Sequence, residues 1–141
     1  MRKFTITLLA AAALVISVPP AFGAVGSTNT DGYGLELTIN KVKASSGQIN
    51  FTVVPEGFDF KKVPYAGAAN KQGVGHAHIY AKLDGAKKAT YIGWTGKGLT
   101  DWTDKGMLKT GKTYRVFAVY SDSDHGEDRN VMSNWIKVTI S

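Results

Sequence analysis

The chain contains three histidines, and all of them fall in two short patches, His76-Ala77-His78 and Ser123-Asp124-His125. Residues two apart on a β-strand point to the same face and stand about 6.5–7 Å apart along the chain. At that spacing two imidazoles can lean onto one ion about 2 Å from each nitrogen. A third imidazole from a distant loop would close the set, so His76, His78 and His125 are candidate ligands of a transition metal. Tyr80 and Asp124 are candidates to orient the imidazoles from outside. Asp122, Glu127 and Asp128 could also supply a carboxylate, and Met107 or Met132 a soft thioether. The chain has no cysteine, which excludes thiolate ligands and cysteine catalysis. Imidazole suits zinc, copper and nickel, and the divalent affinity order favours Cu(II), which ranks copper first and zinc second. The plainer reading of a bare His-x-His is two surface histidines. Against it, no histidine is used elsewhere, and Gly73 and Gly75 flank the motif as if backbone or ligand approached closely.

The elements that must position these residues read as strands. Sixteen glycines and repeated apolar–polar alternation argue for an all-β domain. Leu35, Leu37 and Ile39 alternate over Gly34–Lys43, Ile49, Phe51 and Val53 follow up to Pro55, and Phe58-Asp59-Phe60 is a short edge piece. Over Val74–Leu83, Ala77, Ile79, Ala81 and Leu83 share one face and should fill the core. His76, His78, Tyr80 and Lys82 share the other and should point outward or into a cleft. Asp84-Gly85 is a hairpin turn leading into Thr90-Tyr91-Ile92. Lys112–Ser121 carries apolar groups on both faces, the mark of a central strand. Asp122 to Asn130 reads as an acidic loop, and Ile136, Val138 and Ile140 form a last apolar face. The expectation is an antiparallel, immunoglobulin-like β-sandwich of about seven strands, with an up-and-down barrel as the alternative. Leu108-x-x-Gly111-x-x-Tyr114 fits that class, in which a tyrosine near the start of the penultimate strand anchors a corner.

The motif Gly75-His76-Ala77-His78-Ile79-Tyr80, followed by Asp84-Gly85, Gly111 and Asp124-His125, resembles a pattern in small exported bacterial β-sandwich proteins. These are mostly uncharacterised, and some are suspected of binding metal. The resemblance covers roughly Gly73 to Ser141. It implies a further histidine near Trp94, where this chain has Trp94-Thr95 and Trp102-Thr103 instead, leaving at most three imidazoles.

At the N-terminus, Arg2 and Lys3 precede an uncharged apolar run, Pro19-Pro20 ends it, and Ala21-Phe22-Gly23 offers a small-residue cleavage site. Residues 1–23 therefore read as a secretory signal peptide and 24–141 as one domain, exported to a periplasm or the exterior, with no membrane span after cleavage. The formal charge of +6 falls to +4 without Arg2 and Lys3. That mild, scattered excess gives no footprint for nucleic acid.

Enzymatic readings find little support. No Gly-x-Ser-x-Gly elbow occurs, and Ala24 rather than histidine at the expected mature terminus argues against a histidine brace. The histidines are about half those needed for a copper–zinc superoxide dismutase site. Asp122 to Asp128 has its glycine one place early for a calcium loop and lacks the closing glutamate. The expectation is a non-enzymatic copper-binding protein with the metal ion, and another exported protein, as candidate partners. The competing expectation is a cell-surface or glycan-binding adhesion module that uses Trp94 and Trp102.

Overall fold

A computed structural model describes residues 32–60, 74–95 and 99–141. The expected signal segment, residues 1–23, and Gly73, which flanks the histidine motif, lie outside the described residues. The described chain forms nine strands: β1 Gly34–Lys43, β2 Gln48–Glu56, β3 Asp59–Phe60, β4 Val74–Leu83, β5 Thr90–Trp94, β6 Thr100–Trp102, β7 Thr113–Asp122, β8 Glu127–Met132 and β9 Ile136–Thr139. A single 3₁₀ turn, Ala44–Ser46, joins β1 to β2.

The strands make two sheets, one in the order β1-β2-β6, the other built on the central pair β4–β7. β3 and β5 pair along one edge of β4, and β8 and β9 along the far edge of β7. Every pairing is antiparallel except the two-residue β3–β4 contact. The architecture is thus an all-β sandwich of two separate sheets rather than a closed barrel. The two strands beyond seven are β6 and β8. β6 is three residues long, and β8 occupies part of what reads as the acidic loop, because Glu127 and Asp128 pair with Ser121 and Tyr120 of β7.

Period-two alternation places the core between the sheets. Leu35 and Leu37 of β1, Ile49, Phe51 and Val53 of β2, Ala77, Ile79 and Ala81 of β4, and Val116 and Ala118 of β7 are all buried there. One face expectation needs correction, and burial decides between the alternatives of another. Leu83 ends β4 beyond the cover of the opposite sheet and is 37% exposed. His76 does not point to solvent: it is fully buried, because the outer face of this sheet carries a second apolar layer. Phe117, on that face, is 3% exposed, stacked 4.2 Å from Trp135 and 5.6 Å from Tyr80. Trp135 thus lies on this outer layer and not between the sheets.

Three of the buried hydroxyls have specific duties. Thr95, Thr103 and Ser133 each follow the end of a strand, and each binds one residue of the neighbouring strand twice. Thr95 donates its N–H to the Ala77 carbonyl (2.9 Å) and accepts the Ala77 N–H at Oγ1 (2.8 Å). Thr103 does the same with Ile49 (3.0 and 3.1 Å), and Ser133 with Ala118 (2.9 and 2.8 Å). A hydroxyl replaces the missing carbonyl, so the chain leaves the sheet without orphaning a buried N–H.

Asn134 applies the same logic between sheets. Its Oδ1 accepts the Leu37 N–H (2.9 Å) and its Nδ2 donates to the Leu37 carbonyl (3.2 Å), imitating a strand partner for β1. Replacing it leaves two groups of β1 unpaired. Asn134→Ala should lower the unfolding free energy by about 1–3 kcal/mol, read in urea titration as a lower midpoint at unchanged slope.

Candidate metal centre

The site is assembled by the β4–β7 ladder. Its register sets His76 opposite Ser121, His78 opposite Val119 and Tyr80 opposite Phe117, all on the outer face. A tight turn begins directly after Ser121. The His125 N–H bonds the Asp122 carbonyl (3.2 Å), and the Asp122 N–H bonds the Gly126 carbonyl (3.0 Å). Asp122 and Asp124 both accept the Gly126 N–H, at 2.7 and 3.0 Å. These bonds curl the turn back over the β4 face and bring His125 onto His76 and His78. Gly75 is required at the close approach of the two strands, since a Cβ there would run into the Ser121 carbonyl and the Tyr120 ring.

The three imidazoles offer one nitrogen each, all within 4.8 Å of one another. His76 Nε2 lies 3.0 Å from His78 Nε2, which is 3.4 Å from His125 Nδ1. Two nitrogens each 2.0–2.1 Å from one tetrahedral ion are about 3.3 Å apart, so the cluster is close to the size a metal demands. The protonation pattern agrees. His78 Nδ1 lies 2.8 Å from Glu127 Oε1 and donates to it, which leaves a single lone pair on Nε2. That lone pair can accept one N–H, yet two nitrogens approach it. One cation satisfies all three at once.

Glu127 is the carboxylate of the site. Its Oε1 accepts both His78 and the Tyr80 hydroxyl, and its Oε2 pairs with Arg129 at 3.0 Å. Burial pushes the Glu127 pKa up, but the Tyr80 and His78 hydrogen bonds together with Arg129 outweigh it, and the net shift is downward. Tyr80 moves the other way, to about 12, through burial and then its bond to Glu127. A carboxylate holding the remote nitrogen of a ligating histidine fixes its tautomer and raises its basicity.

His76 has no such support: its Nδ1 is buried without a hydrogen-bond partner among the described residues. Burial, followed by the nearby charges of His78 and His125, lowers its pKa to about 4, so its imidazole stays neutral and able to ligate.

The structure brings His76, His78 and His125 together with Tyr80 close by. Asp124 instead serves the turn that carries His125. Trp94, at the end of β5, stands opposite His78, its ring centroid 5.2 Å from that of His76 and 6.4 Å from that of His125. Trp102 is on β6, at the edge of the other sheet. Met107 is exposed on a turn, and Met132 pairs with Val119, one strand further from His78. The sequence put Glu127 among four acidic candidates without singling it out; its place follows from the pairing of β8 with Ser121. No known protein family, curated protein or solved structure matches the chain.

His125 has φ +68°, the left-handed region that disfavours a side chain and suits glycine. Comparing two variants that both lack the imidazole isolates this cost. In metal-free protein, His125→Gly should be more stable than His125→Ala by about 1 kcal/mol in chemical denaturation.

The low pKa of His76 gives a second expectation. Between pH 6.5 and about 4 the unfolded chain binds a proton at this residue that the folded chain refuses. Folding stability is therefore fully present above that window and falls as pH drops through it. The metal-free melting temperature should decline from pH 7 to pH 4.5, and the decline should be shallower in His76→Gln.

Proposed function

We propose that this chain is an exported, non-enzymatic copper-binding protein, with zinc as the second choice of metal, and that His76, His78 and His125 are its ligands. The carrying observation is the convergence of three ring nitrogens within 4.8 Å, contributed by one strand and one remote turn. Glu127 and Tyr80 set His78 as a lone-pair donor, and burial keeps His76 uncharged. Neutral imidazoles take copper and zinc, and the divalent affinity order ranks copper above zinc. Export rests on the N-terminal pattern of Arg2, Lys3 and the apolar run that follows. Among the described residues no helix is long and apolar enough to cross a membrane.

The absence of any assembled nucleophile in the sequence favours storage, delivery or sensing over turnover. In delivery the ion would pass to or from another exported protein. His125 sits on the turn and is half-buried, whereas His76 is sealed, so exchange would proceed from the His125 side.

Metal-stripped protein should take up one Cu²⁺ or Zn²⁺ per chain, read by calorimetric titration. Metal at 100 times its Kd should add about 2.7 kcal/mol of stability, seen as a rise in melting temperature. His78→Ala should lose both effects. Wild-type protein whose melting temperature ignores either ion, and which retains none on gel filtration, would refute the reading.

A further inference from the structure

An indole stands beside two of the three histidines. β5 pairs with β4 so that Trp94 faces His78, and the ladder slips by one residue between Ile79 and Tyr80. The residue before Trp94 is Gly93, at φ +153°, where a Cβ would press to 3.1 Å from the Thr103 Cα. Bulge and glycine together re-aim the end of the strand, and Trp94 comes down onto His76 with the two ring planes at 77°. The indole centroid lies 5.2 Å from the His76 ring and 6.4 Å from the His125 ring, so a cation held by these rings would sit close to the roughly 6 Å reach of cation–π attraction.

We propose that Trp94 is a specificity-determining residue of the site, its indole face completing the surroundings of a monovalent soft cation, so that the cluster selects Cu(I) over divalent ions. The inference rests on the metal-binding reading above and names the oxidation state of its cargo.

Three observations carry it. First, Cu(I) is content with the three imidazoles of the described cluster, whereas Zn²⁺ would need a water as its fourth donor, since no carboxylate belongs to that cluster. Glu127 is engaged by His78, Tyr80 and Arg129, while Asp122 and Asp124 hold the Gly126 N–H. Second, His76 is fully buried, and the cost of moving an ion from water into such surroundings rises with the square of its charge, which penalises a divalent ion most. Third, indole has the strongest cation-attracting face among the side chains, and a weakly hydrated monovalent ion gains most from it.

The test compares wild type, Trp94→Phe and Trp94→Leu, each titrated anaerobically with Cu(I) against a chromophoric Cu(I) chelator and separately with Zn²⁺ by calorimetry. Cu(I) affinity should fall in the order Trp, Phe, Leu, by about tenfold or more at Leu. Zn²⁺ affinity should stay within about threefold. Cu(I) should also perturb indole absorption in wild type and not in Trp94→Phe, although Trp102 and Trp135 remain.

Equal Cu(I) affinity in all three proteins overturns the proposal. So does a parallel loss of Cu(I) and Zn²⁺, which would mark Trp94 as packing only. Wild-type protein that binds neither ion refutes the metal-binding reading itself, a result distinct from both.

Discussion

The β4–β7 register governs the site. Nine consecutive pairs from Gly75↔Asp122 to Leu83↔Tyr114 run without a slip, and side chains opposite one another in such a ladder share a face. Shifting it by one residue would turn His76 and His78 toward Leu35 and Phe51 and expose Ala77 and Ile79. The same ladder fixes where the turn after Ser121 begins, hence where His125 can reach. The histidine cluster and the core packing are therefore specified by one set of backbone bonds. A change that weakens Ala77 or Ile79 packing should be felt at the histidines before the fold is lost. Thr95 reinforces the point: its two bonds go to Ala77, the residue between the two strand histidines.

A buried histidine on the outer face of a sheet needs cover, and the sequence supplies it with rings. His78 meets Tyr91 edge-on at 5.4 Å, Tyr91 meets Tyr80 at 5.9 Å, and Tyr80 stacks in turn on Phe117 under Trp135. Arg129 lies 5.6 Å over the Tyr80 ring while pairing with Glu127, so one cation serves the aromatic layer and the carboxylate together. This layer lowers the local dielectric around the imidazoles without sealing off His125. Aromatic side chains suit such a task because they cover much surface and lose little rotamer freedom.

How much of this was legible in the sequence differs by scale. The span of β4 and the two faces of β7 follow from period-two alternation, which is a local property. The pairing of His76 with His78 is equally local. What alternation cannot show is whether the face away from the core is wet, and that is why His76 reads as pointing either outward or into a cleft, with its burial visible only in the structure. Trp94 reads from the sequence as a glycan-binding candidate, and its place beside the histidines was out of reach for a related reason. Thr90-Tyr91-Ile92 marks the strand, but the one-residue bulge and Gly93, which decide where the next ring points, have no periodic signature. Glu127 was hidden among four acidic residues because β8, being polar over Glu127 to Asn130, carries no alternation to announce it.

The turn from Asp122 to Gly126 shows how the site and its support divide a cost. A hairpin turn of this length has one left-handed position, normally filled by glycine. Here Gly126 follows that position and histidine fills it, so the backbone is strained at the residue whose ring reaches the cluster. The two aspartates answer the strain locally by gripping the Gly126 N–H, and they do so without placing a carboxylate among the ligands. A glycine at position 125 would relax the turn but provide no nitrogen. The strain at His125 thus follows from a single choice: its ring reaches the cluster, while Asp122 and Asp124 are held to the backbone of the turn.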